Sequence, residues 1–103
     1  MREAQMAALD AAMMNIYLQA LRELNYNAKI FHGMLTDRGG LATAKALINA
    51  PKPSEGYTAL YERNRLDLTV EAVVLRGGGW PDLFDPIELN RARKRLQQYG
   101  YEP

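Results

Sequence analysis

Apolar residues recur along this chain at intervals of three and four. Met6, Leu9, Met13, Ile16 and Ala20 form one stripe, and Met14, Tyr17, Leu21 and Leu24 form a second beside it, which is the spacing of a wide apolar helical face. Arg2, Glu3, Asp10, Arg22 and Glu23 supply the polar remainder. The pattern predicts a helix near residues 3 to 24 that stops at Asn25-Tyr26-Asn27, because asparagine tolerates the left-handed backbone of a helix end. Asn27 is the expected cap of a short second helix with Ile30, Phe31, Met34 and Leu35 on one face. Gly33 weakens that helix by up to about 1 kcal/mol relative to alanine. After a turn at Thr36-Asp37-Arg38-Gly39-Gly40, the residues Leu41, Ala44, Leu47 and Ile48 predict a third helix over about 40 to 49. Pro51 and Pro53 end it, since a residue before proline is pushed out of the α region.

Ser54 is placed to cap a fourth helix carrying Tyr57, Leu60 and Tyr61, with Asn64 closing it in a left-handed turn. The next stretch has two periods. Leu66, Leu68, Val70 and Ala72 alternate as in a strand, while Leu66, Val70, Val73 and Val74 sit at helical spacing with Asp67 as a cap. We read a helix over 66 to 75, because nothing else in the chain has strand character and a lone strand would lack ladder partners. Residues 76 to 81 form a loop. Asp85, Pro86 and Glu88 then write a capping box with proline at the first helical position, and Phe84 and Leu89 stand where a hydrophobic staple would hold them. The resulting helix runs about 86 to 99, with Leu89, Ala92, Leu96 and Tyr99 as its buried stripe and Gly100 beyond its end. The expected fold is all-α: residues 1–103 as a single compact bundle of five or six short helices, with no internal repeat.

Composition narrows the chemistry. The 103 residues are 48% hydrophobic, a core supply suited to one domain. Thirteen Lys and Arg against twelve Asp and Glu leave a net charge of +1, so no long-range field favours a polyanionic partner. The chain has no cysteine and one histidine. That excludes disulfides, zinc thiolates and a cysteine nucleophile, makes triads and multi-histidine metal sites hard to build, and fits a reducing compartment. Asp10, Asn15 and Gln19 interrupt the first apolar stretch, so no secretory h-region is expected there. No run approaches the roughly 20 apolar residues of a membrane span. A cytoplasmic protein without a membrane partner is the expectation.

Five features could carry chemistry. Gly77-Gly78-Gly79 suggests a phosphate loop, but no Gly-Lys-Ser or Gly-Lys-Thr follows and Asp85 opens the next helix, so a connector is favoured. His32 has only Asp37 as a nearby orienting acid, and nothing else completes a catalytic set. Glu62, Asp67 and Glu71, interleaved with Arg63 and Arg65, could hold a divalent metal for nuclease-like hydrolysis. The competing explanation assigns Asp67 to a cap and Glu71 and Arg63 to helix-dipole positions. The fourth and fifth helices have a helix-turn-helix outline, yet residues 68 to 75 offer almost no side chain able to read base edges. Arg91, Lys94 and Arg95 share one face of the last helix as a compact cationic patch for phosphates or an acidic partner, set against a solvated face that pairs internally with Glu88.

Three segments, Gly39-Gly40-Leu41-Ala42-Thr43-Ala44-Lys45, Ser54-Glu55-Gly56-Tyr57-Thr58-Ala59-Leu60-Tyr61-Glu62 and Arg65-Leu66-Asp67-Leu68-Thr69-Val70-Glu71-Ala72, resemble a family of short uncharacterised bacterial helical proteins. The resemblance covers about residues 25 to 101. It implies a bacterial or phage-related origin and brings no activity, cofactor or catalytic residue. The leading expectation is a non-catalytic interaction module, without cofactor or metal, that binds another protein or pairs with itself as a homodimer through Met6, Leu9, Met13 and Met14. A nucleic-acid accessory protein using Arg91, Lys94 and Arg95 is the first alternative. A small metal-dependent enzyme centred on Glu62, Asp67 and Glu71 is the second.

Overall fold

A computed structural model describes residues 2–103. They form five α-helices and a short 3₁₀ turn, with no strand among the described residues. The first helix, α1, spans Arg2–Leu24 and buries Leu9, Met13, Ile16 and Ala20. It stops at Asn25, whose φ of 52° is the left-handed stop expected there.

α2 spans Lys29–Asn49 and is kinked at Gly39, so the second and third predicted helices are its two halves and the expected five-residue turn between them shrinks to that one residue. At φ 83° and ψ 171° this residue occupies a region that essentially only glycine enters. Helical structure therefore runs closer to the break than a five-residue turn would allow. Beyond it, the Gly40 amide donates to Asp10 Oδ1 of α1 at 2.7 Å. A Cβ on Gly40 would lie 2.5 Å from that oxygen and 3.3 Å from the Asp10 Cα, so the second glycine permits the close approach of α1. The expected cap also fails. Ala28 takes the N-cap position without a side-chain bond, because Asn27 Oδ1 accepts from the Tyr17 hydroxyl at 2.7 Å.

α3 spans Glu55–Glu62, and Ser54 Oγ accepts from the Tyr57 amide as a cap should. Asn64, at φ 59°, closes the turn. Residues 66 to 75 are helical in two pieces, a 3₁₀ turn at Leu66–Leu68 and α4 at Val70–Arg76. Thr69 rather than Asp67 caps α4, its hydroxyl accepting from the Ala72 amide. Asp67 is held instead by Arg65, at 3.0 and 3.2 Å.

α5 spans Pro86–Gln98 behind the expected capping box, with both reciprocal bonds formed between Asp85 and Glu88. Ala92 and Leu96 are buried and Leu89 packs against the core. Tyr99 does not belong to the buried stripe. It is 37% exposed and lies edge-on to Tyr57 and Tyr61 beyond the helix end.

α4 is the axis of the packing. Every residue from Val70 to Val74 is buried, because α1, α2 and α5 all pack against it. No helix among the described residues is long and apolar enough to cross a membrane. The first glycine of the triplet serves packing: the Trp80 indole occupies the space where a Gly77 Cβ would lie, and its Nε1 donates to the Val74 carbonyl at 3.3 Å.

Candidate functional site: an apolar cleft over a buried ion pair

The residues first expected to associate are divided by the fold. Leu9 and Met13 are fully buried, Met14 is half-buried and only Met6 is exposed, at 38%. The double stripe of α1 is wide because α1 packs against both α2 and α4, so Leu9 and Met13 belong to the core of the single chain.

The cationic patch is divided as well. Lys94 and Arg91 are exposed, and Arg91 donates to Asn49 Oδ1. Arg95 turns inward and its side chain is only 12% exposed. It donates to the Leu47 and Ala50 carbonyls at 3.0 and 2.6 Å and to Glu71 Oε2 at 3.1 Å. A guanidinium placed on the last carbonyls of α2 satisfies groups the helix leaves open and complements its dipole.

The acids of the proposed metal centre do not converge. Glu62 is exposed on α3, Asp67 is paired with Arg65, and Glu71 is buried against Arg95. Among the described residues no group of three His, Asp or Glu side chains is placed to hold a metal ion. His32 stacks its ring on Tyr17, with centroids 4.5 Å apart.

What the fold builds is a cleft of about 370 Å³ between α1, both halves of α2, α3, the 3₁₀ turn and the start of α4. Burial sorts its lining. Ile16, Ala20, Leu60, Leu68, Val70 and Glu71 are buried and form the floor; Tyr17, Tyr26, Phe31, Met34, Leu47 and Gly56 are half-buried walls; Asn27, Lys29, Ile30 and Glu55 form the exposed rim. Small residues at Ala20, Ala28 and Gly56 leave the space that larger ones would fill. The walls are fixed by their own contacts. Arg63 lies over the Tyr26 ring at 4.7 Å, and Tyr17 is held by Asn27 and His32.

Most polar groups in the lining already have partners. The Tyr57 hydroxyl donates to the Arg95 carbonyl at 3.1 Å, and its burial pushes the phenol well above its ordinary range. Thr69 donates to the Leu66 carbonyl at 2.7 Å. Glu71 is the charged group of the floor, with its side chain 4% exposed. Burial pushes its carboxyl above the ordinary value of 4.5, and its own backbone amide and the bond from Arg95 offset only part of that. A concave apolar site with few polar groups and one perturbed acid has the anatomy of a ligand or partner site.

Sequence periodicity could not find this cleft. It predicted Ile30 to lie on a core-facing stripe, whereas Ile30 is 68% exposed at the rim. The available signal was the cluster of small residues, which acquires meaning only when three helices are placed together. The chain matches no protein-family model, no curated protein and no solved structure.

Proposed function

We propose that this chain is a non-catalytic interaction module of the bacterial cytoplasm that docks a protein partner at the mouth of the apolar cleft, the simplest partner being a second copy of itself. One observation carries this. Ile30 stands largely in solvent beside an apolar hollow lined by Phe31, Met34 and Leu47, so knob and hole occupy the same patch. Two copies related by a two-fold axis can then each place Ile30 in the other's cleft, since an isologous contact needs a patch complementary to itself. The commitment of Asp67, Glu71 and Arg95 to internal pairs supports a binding role over a hydrolytic or phosphate-reading one.

Light scattering across a concentration series tests this with the parent chain and Ile30→Asp. The expected outcome is a dimer for the parent and a folded monomer for the variant, because a carboxylate buried unpaired at such an interface is strongly disfavoured. A parent that remains monomeric throughout contradicts self-association, and so does a variant that still pairs.

A further inference from the structure

The floor of the cleft has a charge balance that selects among ligands. Glu71 is compensated by Arg95 at 3.1 Å, and the other buried lining residues are apolar except Tyr57 and Thr69, whose hydroxyls already donate to carbonyls. A charged ligand would bring a further charge onto a largely dry surface where its counterion is already engaged, and such a charge is costly to bury. A neutral donor incurs no such cost. A carboxylate offers about four lone-pair positions, and the Arg95 bond occupies one of them on Oε2. The space, about 370 Å³, falls within the range of clefts that enclose small molecules, roughly 300 to 1,000 Å³.

We propose that the cleft floor binds a small neutral amphiphile, an alcohol or phenol, whose apolar body lies on Ile16, Ala20, Leu60 and Val70 and whose hydroxyl donates to the Glu71 carboxylate. This goes beyond partner docking, because it uses the floor and needs neither Ile30 nor a second chain.

The test uses three probes of equal chain length, octan-1-ol, octanoate and octylammonium, titrated into the full chain and followed by amide and methyl chemical shifts. Octan-1-ol should give saturable shifts at Ala20, Leu47, Val70 and Glu71, and both charged probes should bind at least about tenfold more weakly. Gly56→Leu should remove octan-1-ol binding by filling a wall. A Cβ at that position meets only Ser54 Oγ and the Tyr26 hydroxyl, each at 3.9 Å, so the variant should fold. Glu71→Gln removes the charge and leaves Arg95 uncompensated, which should reverse the preference toward octanoate. If that variant does not fold, the rank order of the probes on the parent and the Gly56→Leu result decide alone.

Equal or tighter binding of either charged probe overturns the proposal, as do octan-1-ol shifts that fail to saturate or survive Gly56→Leu. Running Ile30→Asp in parallel separates this site from partner docking. Octan-1-ol bound by both proteins while neither associates would remove the docking proposal and leave this one standing; association without octan-1-ol binding would do the reverse.

Discussion

Arg95 Nη1 donates to Glu71 Oε2 at 3.1 Å, joining α5 to α4 in the interior. Its Nη2 reaches the Ala50 carbonyl just past the end of α2. One side chain thus ties three helices together and sets the charge on the cleft floor. Removing either partner leaves the other buried and unpaired, so Arg95→Leu or Glu71→Ala alone should each cost about 3 to 5 kcal/mol in denaturant melts. An apolar pair, Glu71→Leu with Arg95→Met, should recover most of that loss. Single variants within about 0.5 kcal/mol of the parent would show that the pair does not hold the helices.

The two buried glutamates respond oppositely to pH. Burial pushes Glu88 upward, but bonds from Lys45 at 2.6 Å, Asn49 at 2.9 Å and the Asp85 amide outweigh it and hold the carboxyl below 4.5. Its contribution to stability is therefore present above 4.5 and lost as pH falls through the lower folded value. The Glu71 carboxyl is raised instead, so its contribution is full below 4.5 and lost as pH rises through the higher folded value. Glu88→Gln should thus be less stable than the parent at neutral pH, with the gap closing on acidification. Glu71→Gln should gain on the parent as pH rises. Stability curves for Glu88→Gln that stay parallel to the parent through the acid limb would contradict this account of Glu88.

Three glycines of α2 should answer differently to alanine. Gly33 has nothing within 4 Å of an added Cβ, so Gly33→Ala should stabilise by about 0.4 to 1 kcal/mol. Gly39→Ala forces alanine into a glycine-only conformation and should cost about 1 to 3 kcal/mol. Gly40→Ala drives a Cβ into Asp10 and should cost about 1 to 3 kcal/mol through displaced backbone. Thermal melts giving equal effects at the three sites would mean that the kink is not held as described.

The sequence carried most of the local signals, the Asn27 and Asp67 caps excepted, and missed those that depend on three elements meeting. The Asp85 to Glu88 box, the Ser54 cap and the Asn25 and Asn64 stops involve residues within four positions of one another, and all formed. The Gly40 amide finds its acceptor thirty residues away, so the helical run from Thr36 up to the Gly39 kink was not visible in its local turn residues. Arg95 lies beside Leu96 and three residues after Ala92, at the edge of the apolar stripe, where its stem can be buried and its head can enter the interior. Whether it does depends on an acid waiting there. Glu71 had the signature of a first-turn dipole residue, and it is one; only the burial of all of Val70 to Val74 makes it an internal counterion.

Within α5, cap and core should separate in magnitude. Asp85→Ala should cost about 1 kcal/mol through the lost cap, and Leu96→Ala, at a site without solvent exposure, about 2 to 5 kcal/mol through the cavity it leaves. Urea melts should preserve that order. A reversed order would show that Asp85 holds more than its helix end.

The mouth of the cleft as a docking surface is tested most directly by amide and methyl shifts recorded as the parent chain is concentrated. The account predicts shifts at Tyr17, Ile30, Phe31, Met34 and Gly56 that grow together with one midpoint, with Met6, Leu18 and Ile87 unmoved although they too are exposed. Shifts confined to Met6 and Leu18, or none at any concentration, would contradict it.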